Sequence, residues 1–151
     1  MDIKSGCGYP LSALSNFAPH PFEIDGVECY SMEGFLQSLK FKNIDMQEHV
    51  CKLVGIKAKM KGKNKTWWKE QKLYWRGQEI DRHSQEYQDL LNRAYLALAK
   101  NIGFRKALLA TGNGVLKHSI GKKDAHQTIL TQKEFCSRLM WIRDLLQRGE
   151  I

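Results

Sequence analysis

The stretch PFEIDGVECYSMEGFLQSLKF, residues 21–41, changes its hydrophobic period halfway along, and that change decides how the chain is read. Phe22 and Ile24, then Val27 and Cys29, alternate with polar residues on either side of Asp25-Gly26, the pattern of two short strands joined by a two-residue turn. From Met32 the period lengthens. Met32, Phe35, Leu36 and Leu39 line one face of a helix that Ser31 caps and that the pattern carries to about Lys42. Glu33, Gln37 and Lys40 form a second, polar stripe on that helix. At about 100° per residue, Glu33 and Lys40 fall within roughly 20° of each other and Gln37 about 40° from Glu33. Taken alone, such a stripe is ordinarily a solvated face.

Outward from this stretch the chain reads as mainly α. A helix is expected from Asp45 to Leu53, ended by Gly55, followed by a lysine-rich loop over 57–66, with order resuming at Trp67-Trp68. Tyr87, Leu90, Leu91, Ala94, Tyr95, Leu98 and Ala99 then recur at helical spacing behind a Ser84 cap. A short helix over about 104–110 closes at Gly112, and the Thr131/Glu134 pair signals a capping box for a last helix to about Gln147. No βα alternation recurs. The expected architecture is a single compact helical domain over residues 1–151 with a small N-terminal β-hairpin.

At 151 residues and 42% hydrophobic content, such a chain buries enough surface to fold without a staple. Cys7, Cys29, Cys51 and Cys136 show no CxxC spacing, and His49 with Cys51 lacks a second pair, so reduced thiols in a cytoplasm, no metal and no cofactor are expected. No apolar run approaches the roughly 20 residues of a membrane span. The net charge of +8 is concentrated: over residues 57–72, seven lysines face Glu70 alone, a local net of +6. This suits a partner carrying phosphates, nucleotide or nucleic acid. A solvated lysine loop has the same composition.

LSNFAPHPFEIDGVECYSMEGFLQSLKF (14–41) resembles the opening motif of the NADAR family, also called YbiA-like. Ser15, Asn16, Phe17, Pro21, Phe22, Asp25, Gly26, Glu33, Gln37, Lys40 and Phe41 stand in the family's order and spacing. The likeness continues more loosely through 58–62, 107–116, Asp124 and 139–143, with Trp75 as the family's middle tryptophan. Two positions depart: Gly34 stands where the family usually has His, and Ala125-His126-Gln127 where a Trp-Gly pair usually follows the loop Asp. The resemblance implies a compact, mainly α fold and an N-glycosidase acting on ribose-linked substrates. Such enzymes remove ADP-ribose from guanine bases in nucleic acid, or cleave phosphoribosylated intermediates of riboflavin synthesis. A non-catalytic module binding ADP-ribose or an NAD-like ligand is the alternative, and a basic, aromatic nucleic-acid-binding face over 57–76 is a third reading compatible with the first.

Cleavage between ribose C1 and nitrogen builds positive charge on the sugar, and a fixed, shielded carboxylate stabilises it. Glu33, near the positive end of its helix, is the candidate, with Lys40 two turns on and Gln37 between them to hold a ribose hydroxyl. Asp124, in HSIGKKDAH (118–126), is the second acid, to activate water or protonate the leaving base; an Asp in a self-bonded turn is its plainer reading. Asn16 and Phe17, with Trp75, are candidates for the ribose and base contacts, although Asn16 reads equally as a turn residue and Trp67, Trp68 and Trp75 are more often core than stacking platforms. Lys57, Lys59 and Lys61 are candidate phosphate contacts, and Arg82, before the Ser84 cap, a candidate anion ligand that could equally be a capping or surface residue. The implied partner is an ADP-ribose-containing or phosphoribosyl substrate, ADP-ribosylated DNA included.

Overall fold

The Asp25-Gly26 turn takes positive φ at both residues, 51° and 78°, the combination a tight hairpin requires. The computed structural model, which describes residues 1–151, accordingly pairs β1 (Phe22–Ile24) with β2 (Val27–Cys29), Phe22 opposite Cys29 and Ile24 opposite Val27. Their apolar residues point inward and Glu23 and Glu28 outward. α1 (Met32–Ser38) starts at the expected cap: the Ser31 hydroxyl accepts from Gly34 N at 3.0 Å and donates to Leu53 O at 2.8 Å.

α1 ends a turn earlier than its periodicity suggests. The N–H groups of Leu39, Lys40 and Phe41 bond three residues back, so the last turn tightens. Buried Gln47 explains why: its amide donates to Ser38 O (3.0 Å), Phe41 O (3.3 Å) and Tyr74 O (2.8 Å), taking carbonyls that a longer helix would use. α2 (Ile44–Cys51) begins at an Asn43 cap.

Two expectations are corrected downstream. The lysine-rich segment is not a loop: α3 (Gly55–Gly62) occupies most of it, and Gly55, at φ 57°, starts that helix rather than ending α2. Ala58 and Gly62, one turn apart, are buried and let α3 lie against α1 while its lysines face outward. After the short α4 (Trp67–Glu70) comes a second hairpin, β3 (Lys72–Trp75) with β4 (Gln78–Asp81), turning on Arg76-Gly77 at φ 52° and 84°. The chain thus carries two hairpins, not one.

The C-terminal half follows the sequence closely. α5 (Gln85–Leu98) is capped by Ser84, α6 (Ile102–Ala110) by Asn101, and α7 (Gln132–Gln147) by the Thr131/Glu134 box. One core of 31 buried apolar residues runs from β1 and β2 through α1 and α5 to α7. No helix is long and apolar enough to cross a membrane.

Candidate functional site

The site is built on the first turn of α1. Glu33 N donates to Asn16 O at 2.9 Å, which lays the Ser15–Phe17 segment across the helix start. The buried Tyr95 hydroxyl, from α5, donates to Asn16 Oδ1 at 2.9 Å. Gln37 Nε2 donates to Glu33 Oε1 at 2.9 Å, the contact expected one turn along a helix. Lys40 Nζ reaches Gly62 O of α3 at 3.4 Å. A Cβ at 62 would collide with Gln37 Oε1 and stand 3.2 Å from Lys40 Cδ, so a larger residue there would displace the Gln37 side chain. Gln37 Oε1 itself is buried without a hydrogen-bond partner.

Burial pushes the Glu33 carboxyl above its ordinary range, against the pull of the Gln37 hydrogen bond and the charges of Lys40, Lys59 and His118. The helix dipole was expected to keep it readily ionised; desolvation outweighs that. Burial likewise pulls the Lys40 ammonium down, with Glu33 opposing. Neither belongs to any of the chain's ion pairs. A carboxylate and an ammonium stand partly out of water, coupled but not closed on each other.

Of the expected site residues, Glu33, Gln37, Lys40 and Asn16 come together, with half-buried Phe17 next in chain. Lys59 is exposed on α3, and its charge acts on Glu33. Lys57 and Lys61, one turn apart, sit on the other flank of α3 and are exposed. Three candidates do not join this group. Trp75 is 5% exposed, edge-on to Phe35, with its Nε1 donating to Asp25 Oδ2 at 2.8 Å: it is core, not a stacking platform. Arg82 is buried and gripped by Glu134 at 2.6 and 3.0 Å, with Nε on Thr128 O, so its charge is already paired and its head is closed to an outside anion. Asp124 is exposed and accepts from His126 N at 2.9 Å and pairs with His126 Nδ1 at 3.1 Å, the self-bonded turn of its plainer reading. No hydrogen bond or ion pair links it to Glu33 or Lys40. Those hydrogen bonds from His126 hold its carboxyl below the usual range.

Gly34 explains the first departure from the family pattern. It points away from the stripe, and a Cβ there would stand 2.5 Å from Leu53 O and 2.9 Å from the Cys51 and Val50 carbonyls. Gly34→His is therefore expected to lose about 1–3 kcal/mol by overpacking against backbone, read as a lower urea midpoint, rather than to restore an acid/base group.

The sequence reading did not single out Tyr95, which counted only as part of a core stripe, or Gly62 as the point where α3 closes on α1. A small residue one turn after Ala58 was the available signal for Gly62. Two clefts, of about 440 and 580 Å³, lie away from Glu33, one between β1 and the end of α5 and one beside Phe41 and His49.

The fold is YbiA-like. The NMR structure of the Escherichia coli protein YbiA superposes with a TM-score of 0.64 over 99% of this chain and 86% of that one, at 18% identity. The chain belongs to the bacteriophage protein GP30.3 family, whose sequence profile matches residues 8–144. An uncharacterized 17.1 kDa protein from the Gp30–rIII intergenic region of Enterobacteria phage T4 is 40% identical, covering 97% of this chain and 98% of its own length.

Proposed function

We propose that this chain is an N-glycosidase that hydrolyses the bond between a nucleobase and a phosphorylated ribose, with ADP-ribose on guanine as the substrate. The observation that carries the reading is Glu33: a carboxylate held by Gln37 in the first turn of α1, partly removed from water and facing Lys40 without a closed ion pair. Such a group gains most when positive charge appears beside it, which is what bond breaking at ribose C1 supplies. Asn16, oriented by Tyr95, offers its amide to a ribose hydroxyl. Lys40 and Lys59 suit the phosphates. The resemblance over residues 14–41 supports the same chemistry.

A nucleic-acid-linked substrate is favoured by the outer face of α3 and α4. Lys57, Lys61, Lys63, Lys65 and Lys69 are exposed there beside Trp68, which is 54% exposed with Lys69 Nζ 5.6 Å from its ring. Lysines around an open aromatic suit a phosphate backbone and a stacked base.

Mass spectrometry of products from two substrates, incubated separately with the protein, tests this. One is an oligonucleotide ADP-ribosylated on guanine, the other a ribosylamino-pyrimidine phosphate. Free ADP-ribose from the first is the expected result. Ribose phosphate from the second alone would move the substrate to small phosphoribosyl compounds. Calorimetric binding of ADP-ribose with no product from either would make the chain a binding module.

A further inference from the structure

Breaking the bond between ribose C1 and nitrogen sends the bonding pair to that nitrogen, which must then take a proton, and Asp124 lies with His126 rather than with Glu33. Resting on the N-glycosidase reading, we propose that His118 is the proton donor and acceptor of the Glu33 site.

His118 begins the loop that follows the bridge between Asp2 and Lys117, and its ring is fixed on three sides. Nδ1 lies 2.8 Å from the Ile3 carbonyl oxygen. A carbonyl cannot donate, so Nδ1 carries a hydrogen, and in the neutral ring Nε2 is a bare acceptor. Phe135 of α7 meets the ring edge-on, centroids 5.1 Å apart at 80°. The same Phe135 packs 6.2 Å from Tyr95, whose hydroxyl holds the Asn16 that lies across Glu33. Gly121 is the third wall. A Cβ there would stand 2.6 Å from Cδ2 and 3.3 Å from Nε2, so any side chain would push the imidazole out of place. Gln132 donates to the Ser119 and Gly121 carbonyls and clamps this turn.

This is a positioned imidazole with one committed nitrogen and one free. Nε2 has no hydrogen-bond partner within the protein. His118 is near enough for its charge to act on Glu33. The charged groups that its charge acts on are Asp2 from the N-terminal segment and Glu33 from α1, and Lys117 precedes it in the chain. From α7 and α5 it meets only the uncharged Phe135 and, behind it, Tyr95.

Protonated His118 passes its Nε2 proton to the leaving nitrogen as the C1–N bond breaks and the bonding pair stays on nitrogen. Glu33 balances the positive sugar. A water oxygen then bonds to C1, and the proton it loses returns to Nε2. The free base carries one hydrogen of the water and the ribose its hydroxyl, so no further reactant is needed.

His118→Asn is the cleanest variant, because its amide nitrogen replaces Nδ1 as donor to Ile3 O while Nε2 is removed. Single-turnover release of ADP-ribose from an oligonucleotide ADP-ribosylated on guanine is expected to fall about 10²–10⁴-fold. The melting temperature should stay at the wild-type value, and the pH–rate profile should lose the limb that His118 supplies while keeping that of Glu33. A loss of less than about tenfold, or a slow variant with both limbs in place, overturns the proposal alone. A wild type that releases nothing overturns the glycosidase reading, and this assignment with it.

Discussion

Glu33→Gln is expected to lower the rate of ADP-ribose release about 10³-fold or more while the protein stays folded. Glutamine has the same shape, and its amide oxygen still accepts from Gln37 Nε2, so the contact at 2.9 Å survives. What disappears is the negative charge, worth several kcal/mol to an oxocarbenium-like sugar in a site shielded from water. The stability consequence has a definite sign. Burial raises the Glu33 carboxyl above its ordinary range, so between that range and the raised value the folded state holds a proton that the unfolded chain has released. Stability then falls as pH rises through this window. Glu33→Gln removes that dependence, and its advantage over wild type in urea midpoint should grow across the window and level off above it. Activity runs the other way, appearing only as Glu33 ionises. Wild-type turnover in Glu33→Gln would end the mechanism. Unchanged pH dependence of stability would show that Glu33 is not the buried titrating group.

The parts of this molecule that were legible in the sequence are those set by neighbours in the chain. The Asp25-Gly26 turn, the Ser31, Ser84 and Thr131 caps and the α5 stripe each depend on residues within a few positions. The failures share a different cause. α3 was read as loop because seven lysines dominate residues 57–72, yet two small residues one turn apart are enough to seat a helix on α1. The end of α1 was misplaced because Gln47, from the next helix, captures its carbonyls. The second hairpin was missed although Arg76-Gly77 occupies its turn, since Arg is not a residue expected at positive φ.

The candidate site divides along the same line. Glu33, Gln37 and Lys40 share one helix, so their spacing alone placed them together. Tyr95 reaches Asn16 across 79 positions and His118 reaches Ile3 across 115, separations at which no local pattern operates. Arg82 misled for the same reason. Next to a helix cap it has the credentials of an anion ligand, and only the fold brings Glu134, 52 residues away, to occupy it.

That occupied arginine carries the largest stability effect expected in the chain. Glu134→Ala should cost about 3–5 kcal/mol, because it strands a guanidinium whose side chain is 1% exposed and which retains only Thr128 O as a hydrogen-bond acceptor. Glu134 also accepts from Thr131 N at 2.8 Å and Gln88 Nε2 at 2.7 Å, so the capping box and a contact to α5 go with it. Burial raises its carboxyl, but the hydrogen bonds from Arg82, Thr131 and Gln88 and the Arg82 charge bring it below the ordinary range. Its contribution is therefore complete above the ordinary glutamate value, about 4.3, and is lost as pH falls through the lower folded value. Arg82→Met should cost less, since Glu134 keeps its donors from Thr131 and Gln88, and the double variant should recover much of the Glu134→Ala loss. Urea unfolding of the four proteins measures this cycle. Additive losses would mean that the pair is not coupled and that the cap alone explains Glu134. The effect also reaches the chemistry. Glu134 anchors the first turn of α7, and the next residue, Phe135, packs on both His118 and Tyr95. Loosening that turn should slow ADP-ribose release even where Glu134→Ala is still folded, which would tie the buried ion pair to the site it was first mistaken for.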